Sequence, residues 1–107
     1  MASGTIVQFR PNIGFATETL VVTNSVQVLS PSKFAPSTTS GGASSAFITN
    51  DGDALRYFYD GTTPSSTLGH KLADGGILVL NGQNQMENFK CFRVTTDTTI
   101  TVTYERE

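Results

Sequence analysis

The sequence predicts an all-β chain: a single β-sandwich or jelly-roll-like barrel of about seven or eight antiparallel strands joined by long Gly/Ser/Thr/Pro loops. Three observations predict it. Threonine occurs 16 times, and Ser and Thr together fill 26 of the 107 positions; a β-branched side chain fits a pleated strand better than a helix. Period-2 alternation recurs from Thr5 to Tyr104 at roughly ten-residue intervals. No window of about twelve residues carries the i, i+3, i+4, i+7 spacing of an amphipathic helix. The length suits one domain, divided into an extended N-terminal arm over 1–16 and a sandwich over 17–107.

The elements follow in chain order. Thr5 to Phe9 reads as a short strand ended by Arg10-Pro11-Asn12. Thr19 to Leu29 places Leu20, Val22, Val26 and Val28 on one parity, as a strand pair or one strand bent near Asn24-Ser25. Residues 30–45 hold two Pro, two Gly and many hydroxyls, which marks a loop. Its one aromatic, Phe34, either tucks under the loop or anchors in a partner's pocket. Ala46 to Thr49, the turn Asn50-Asp51-Gly52-Asp53 and Leu55 to Tyr59 read as a β-hairpin. Asp60 to Gly69 is a second loop, and Ile77 to Leu80 an apolar strand expected to be buried on both faces. Asn88 to Thr95 and Thr98 to Tyr104 form a last pair turning at Asp97, with Ile100, Val102 and Tyr104 inward. The expected core is Leu20, Val22, Phe47, Leu78, Phe92, Ile100 and Val102.

Charge and cysteine content narrow the functions. The net charge is −2, and the seven Lys and Arg are scattered singly along the chain, which argues against the basic stripe of a nucleic-acid binder and against a polybasic membrane patch. No apolar run approaches the ~20 residues of a membrane helix. The N-terminus has no apolar signal core, so export by a signal peptide is not expected. Cys91 is the only cysteine, which leaves no intrachain disulfide and no cysteine-based metal site.

Each candidate for chemistry meets a plainer reading. His70 with Ser65 or Ser66 and Asp74 imitates a triad, but no Gly-x-Ser-x-Gly elbow is present, and a histidine bonded to a loop carbonyl explains it. Asn50-Asp51-Gly52-Asp53 is acidic enough to suggest calcium, but the ligand spacing and terminal Glu are missing. Asp60 and Glu87 lack a spacing that would pair them as glycosidase carboxylates. Gly75-Gly76 has no helix behind it to cradle a phosphate. Cys91 reads as a quiet thiol, with only Lys90 and Arg93 beside it. Tyr57 and Tyr59 offer a platform for a sugar or pack on the sheet. No catalytic residue, cofactor or metal ligand is assigned, and the chain is not expected to be an enzyme.

The stretch from Phe47 through Asn50-Asp51-Gly52, Leu55-Arg56-Tyr57-Phe58-Tyr59, the Gly61–Gly69 loop and Leu72 to Gly75-Gly76 resembles small virion proteins of tailed bacteriophages. The ending is similar too: an apolar strand, a strand with Phe89 and Phe92, and a closing Thr-Ile-Thr-Val-Thr-Tyr strand. The resemblance spans about residues 17–104 and contains no catalytic signature. It implies a β-sandwich of the capsid cement or decoration type, on the capsid exterior after assembly in the host cytoplasm. The implied partners are the major capsid protein and the chain itself, with a trimer favoured over a dimer and neither nucleic acid nor membrane. A head–tail adaptor or tail component is the alternative within virions, and a small carbohydrate-binding module the alternative outside them. The expected interface residues are Ile6, Phe9 and Arg10 of the arm, Lys33 and Phe34 of the first loop, and Thr63, Pro64 and His70 of the second.

Overall fold

The computed structural model describes residues 13–35 and 42–106. The order is β1 (Ile13–Val22), β2 (Gln27–Val28), α1 (Pro31–Phe34), β3 (Ser45–Asp51), β4 (Leu55–Phe58), β5 (His70–Leu72), β6 (Ile77–Asn81), α2 (Gln83–Glu87), β7 (Lys90–Arg93) and β8 (Thr98–Arg106). Two four-stranded antiparallel sheets, ordered β1-β8-β3-β6 and β2-β7-β4-β5, form the sandwich. The fold class is the one the threonine-rich alternation predicts. The expected strand over Thr5 to Phe9 lies outside the described residues, and β1 begins at Ile13, inside the expected arm.

The two expected hairpins do not form. β3 pairs with β6 and β8, whereas β4 pairs with β5 and β7 in the other sheet. Likewise β7 and β8 lie in opposite sheets. The turns at 51–54 and 94–97 are corners that carry the chain between layers. Of the connections between successive strands among the described residues, β4 to β5 alone stays within one sheet.

These corners meet at one end of the sandwich and are tied by Asn50, which is 2% exposed. Its Nδ2 donates to Asp53 O at 2.6 Å and to Leu72 O and Ala73 O at 3.1 Å. Its Oδ1 accepts the Thr98 hydroxyl at 2.7 Å. One buried amide thus satisfies carbonyls on two corners and a hydroxyl on a third, the condition for burying polar groups without loss. Gly52 allows the closure: its φ is +142°, and a Cβ there would meet Thr98 Oγ1 at 2.8 Å.

The core lies between the layers. Val22, Ile48, Leu55, Ile100, Val102 and Tyr104 are fully buried. Tyr104 fits because its cross-strand neighbours on both sides are alanines, Ala16 on β1 and Ala46 on β3. This sets the β3 parity: Ala46 and Ile48 point inward and Phe47 outward, contrary to expectation. On β7 the buried residue is Cys91, with Phe92 turned out. Leu20 and Leu78 pack on the core only in part. The chain bends at Asn24-Ser25 and changes sheet, so the parity of Val22 is not continued, and Val26 and Val28 are exposed. β6 is an edge strand, and Ile77 is 61% exposed rather than covered on both faces.

Candidate functional site

The carboxylates that suggested chemistry serve as internal acceptors. Asp53 takes the N–H of Ala54 at 2.8 Å, the N–H of Thr96 at 3.2 Å and the Thr96 hydroxyl at 2.7 Å. The Thr96 hydroxyl first, and these backbone donors after it, hold its pKa below the ordinary value. Asp74 takes the Gly52 N–H at 3.0 Å, so it braces a corner and does not orient His70. Ser65 is likewise occupied, accepting from the Thr67 and Leu68 N–H groups. Among the described residues no group of three or more His, Cys, Asp or Glu has metal-holding geometry.

Asp60 and Glu87 sit on segments that do meet, through Gly61 N–H to Asn88 O at 3.1 Å. Asp60 is kept ionised by the Thr62 N–H and hydroxyl, and both carboxylates lie on exposed residues. A glycosidase acid needs the opposite, a carboxyl whose pKa is raised. Cys91 is fully buried, its thiol pushed up to about 12 by burial, and its Sγ faces Gln27 O at 3.7 Å.

The expected interface residues part company. Ile6, Phe9 and Arg10 lie outside the described residues. Phe34 is 2% exposed and packs on Tyr104 with ring centroids 6.1 Å apart, so it is a core residue and offers nothing to a partner's pocket. Pro31 starts a single helical turn, and Ala43 N–H donates to Phe34 O at 2.8 Å. The approach is so close that a Cβ at Gly42 would strike Phe34 O. Lys33 is exposed, and its charge helps hold Glu18 ionised. Thr63 is exposed and Pro64 buried in the β4–β5 loop. His70, exposed on β5, belongs to an aromatic group: its ring lies 5.4 Å from Tyr57, 5.7 Å from Phe58 and 6.3 Å from Tyr59. Phe58, Tyr59, Asp60 and His70 line an open cleft of about 170 Å³. The Tyr57 ring lies 6.4 Å from Tyr59 and 5.9 Å from Phe89, and burial, then Tyr59, raises its phenol pKa.

A second surface escaped the sequence. Leu55, Leu72 and Cys91 face the core, so the alternate positions Arg56, Phe58, Lys71, Lys90, Phe92 and Val28 share the outer face of the β2-β7-β4-β5 sheet. In register, Lys71 lies opposite Arg56 and Arg56 opposite Phe92; Phe58 lies opposite Lys90 and Lys90 opposite Val28. The four strands carry Arg56, Lys71, Lys90 and Arg93 and no Asp or Glu. Cations scattered singly in sequence are thus gathered by strand pairing. Arg93 is paired with Asp97. Among the described residues, no ion pair forms at Arg56, Lys71 or Lys90; Arg56 donates from Nη1 to Gly69 O at 3.2 Å, while its Nε is buried without an acceptor.

These features define a two-layer antiparallel β-sandwich with an aromatic cleft at one sheet edge and a basic, apolar outer face. No helix of the described residues is long and apolar enough to cross a membrane. Comparison with protein-family models, curated proteins and solved structures finds no match.

Proposed function

We propose that the chain is a non-enzymatic structural protein of a tailed-phage virion, a capsid cement or decoration protein that binds the major capsid protein and itself on the shell exterior. The observation that carries this reading is the division of labour among side chains. The buried and corner polar groups brace the fold, while Ile13, Val21, Val28, Leu68 and Ile77 are at least half exposed. A sandwich that keeps a complete core and still leaves large aliphatic side chains in water has surface to bury on partners. The sequence resemblance supports the same assignment. With Phe34 and Pro64 buried, the contacts pass to the exposed sheet faces and to Thr63 and His70 of the second loop. The test is co-sedimentation with mature capsids: the protein should appear in fixed stoichiometry with the shell protein, and its absence from mature particles sinks the assignment.

The cleft beside Tyr59 favours a second reading, a small carbohydrate-binding module. Tyr59 is 42% exposed and presents a ring to a sugar face, and the ionised Asp60 accepts hydroxyl hydrogen bonds. A glycan array separates the two readings: the isolated chain gives hits that Tyr59→Ala abolishes only if the cleft binds sugar.

A further inference from the structure

On the outer face of the β2-β7-β4-β5 sheet, Lys71 stands directly opposite Arg56. Like charges in opposed cross-strand positions destabilise a sheet. The chain carries more Asp and Glu than Lys and Arg, nine against seven, yet none of those acids lies on these four strands. Lys90, next to Phe58 and Val28, adds a third cation to the face. The fold therefore carries a like-charge pair on this face, answered in part at its margin by Asp53, whose carboxylate Lys71 helps keep ionised. Three cations set among Phe58, Phe92 and Val28, with no acid on the same strands, make this face complementary in charge to an acidic partner.

We infer that this face docks an acidic protein surface, whose carboxylates pair Arg56, Lys71 and Lys90 while its apolar side chains cover Phe58, Phe92 and Val28. The inference deepens the capsid assignment and rests on it for the partner's identity: the surface belongs to the shell protein. Arginine and aromatic residues are enriched in protein interfaces, and Phe58 and Phe92 are half-buried in the sheet, unlike the free rings on which single-stranded bases stack. Three cations also fall short of the several phosphate contacts that hold nucleic acid at physiological salt.

Fluorescence anisotropy of a labelled polyglutamate peptide tests the face directly, with labelled oligothymidylate of equal length as the rival ligand. The intact protein should bind polyglutamate saturably and lose affinity as salt rises. The Lys71→Glu/Lys90→Glu variant should bind roughly tenfold more weakly or worse, whereas Lys71→Arg should bind as the parent does. The thermal midpoint of Lys71→Glu should stay close to the parent's, because Lys71 is exposed and the attraction gained at Arg56 offsets the one lost at Asp53; loss of binding without loss of fold separates docking from support. Equal polyglutamate binding by parent and double variant, or tighter binding of oligothymidylate, overturns the inference. Capsid co-sedimentation fails independently: a protein that passes the polyglutamate test but is absent from capsids refutes the virion assignment and leaves the acidic-partner face standing.

Discussion

The Tyr104 hydroxyl donates to Oε2 of Glu18 inside the sandwich, where the same carboxylate accepts the Ser30 hydroxyl at 2.8 Å and the Ser30 N–H at 3.1 Å. β1 is an edge strand, and Glu18 is an inward-pointing charge on it, a device that discourages edge pairing with a foreign strand. Burial pushes the Glu18 pKa up, but the bonds from Tyr104 and Ser30 together outweigh burial, and the group is held below its ordinary 4.5. Burial, with Glu18 as neighbour, pushes the Tyr104 phenol up.

Because the folded value is the lower one, Glu18 contributes stability that is complete above pH 4.5 and is lost as the pH falls through the folded value. Tyr104→Phe removes one of the donors, so its acid unfolding limb should move to higher pH. It should also cost about 1–3 kcal/mol at neutral pH, the usual range for a hydrogen bond to a charged group or a buried acceptor left short. Urea melts between pH 3 and 7 check both; an unchanged acid limb would mean that Tyr104 does not hold the carboxylate.

Asn50→Ala should be among the most damaging polar substitutions. It leaves the carbonyls of Asp53, Leu72 and Ala73 and the Thr98 hydroxyl without this partner. At about 1–3 kcal/mol for a buried polar group left unsatisfied, the loss takes a large share of the stability of a small domain. Asn50→Asp should be no better, since a carboxylate has no donor for three carbonyls. Denaturant midpoints decide, and a shift below about 1 kcal/mol would show that the corners stand without the amide.

The corner role also explains which parts of the fold were legible in the sequence. The alternation of Ile100, Val102 and Tyr104 is local, and all three are buried as read. Strand pairing is not local. A turn such as Asn50 to Asp53 fits a hairpin or a corner equally well, and the choice rests on Leu72, Ala73 and Thr98, which are distant in sequence. Val26 and Val28 leave the parity of Val22 because it restarts when the chain changes sheet. Phe47 and Phe92 face outward because distant pairings set the parity of their strands: the register places the small Ala46 beside Tyr104, and Cys91 takes the inward position on β7. The basic face was invisible for the same reason: Arg56, Lys71 and Lys90 become neighbours only through the β4–β5 and β4–β7 pairings.

Two phenylalanines test that correction. Phe34→Ala removes a buried ring in contact with Tyr104 and should cost roughly 3–5 kcal/mol. Phe92 faces outward and is only partly covered, so Phe92→Ala should cost clearly less. The ranking of the two midpoints is the measurement, and the reverse order would restore Phe92 to the core.

Cys91 should behave as a buried apolar group. Its thiol, pushed up to about 12, is almost wholly protonated at neutral pH, and the thiolate is the reactive form. Alkylation by iodoacetamide at pH 8 should be negligible for the native protein and should rise with denaturant in step with the loss of β-sheet signal. Rapid native labelling would place the sulfur at the surface and refute the inward parity of β7.

The proposed self-association has a candidate route at the far edge of the other sheet. β6 has β3 on one side and, among the described residues, no strand of its own sheet on the other. It is apolar from Ile77 to Leu80 and carries no charge; β1, at the opposite edge, has Glu18 turned inward. A short apolar edge without a charge or proline is a template for pairing with a second strand, and exposed Ile77 adds apolar area beside it. The homo-oligomer proposed for the virion protein should therefore form through β6. Ile77→Lys places a charge on that edge while sparing the buried Leu80, so it should yield a folded monomer. Sedimentation equilibrium at increasing concentration should then show a parent that associates and a variant that does not. A parent that stays monomeric at every concentration in solution would refute association through this edge, and a variant that associates as the parent does would move the contact elsewhere on the sandwich.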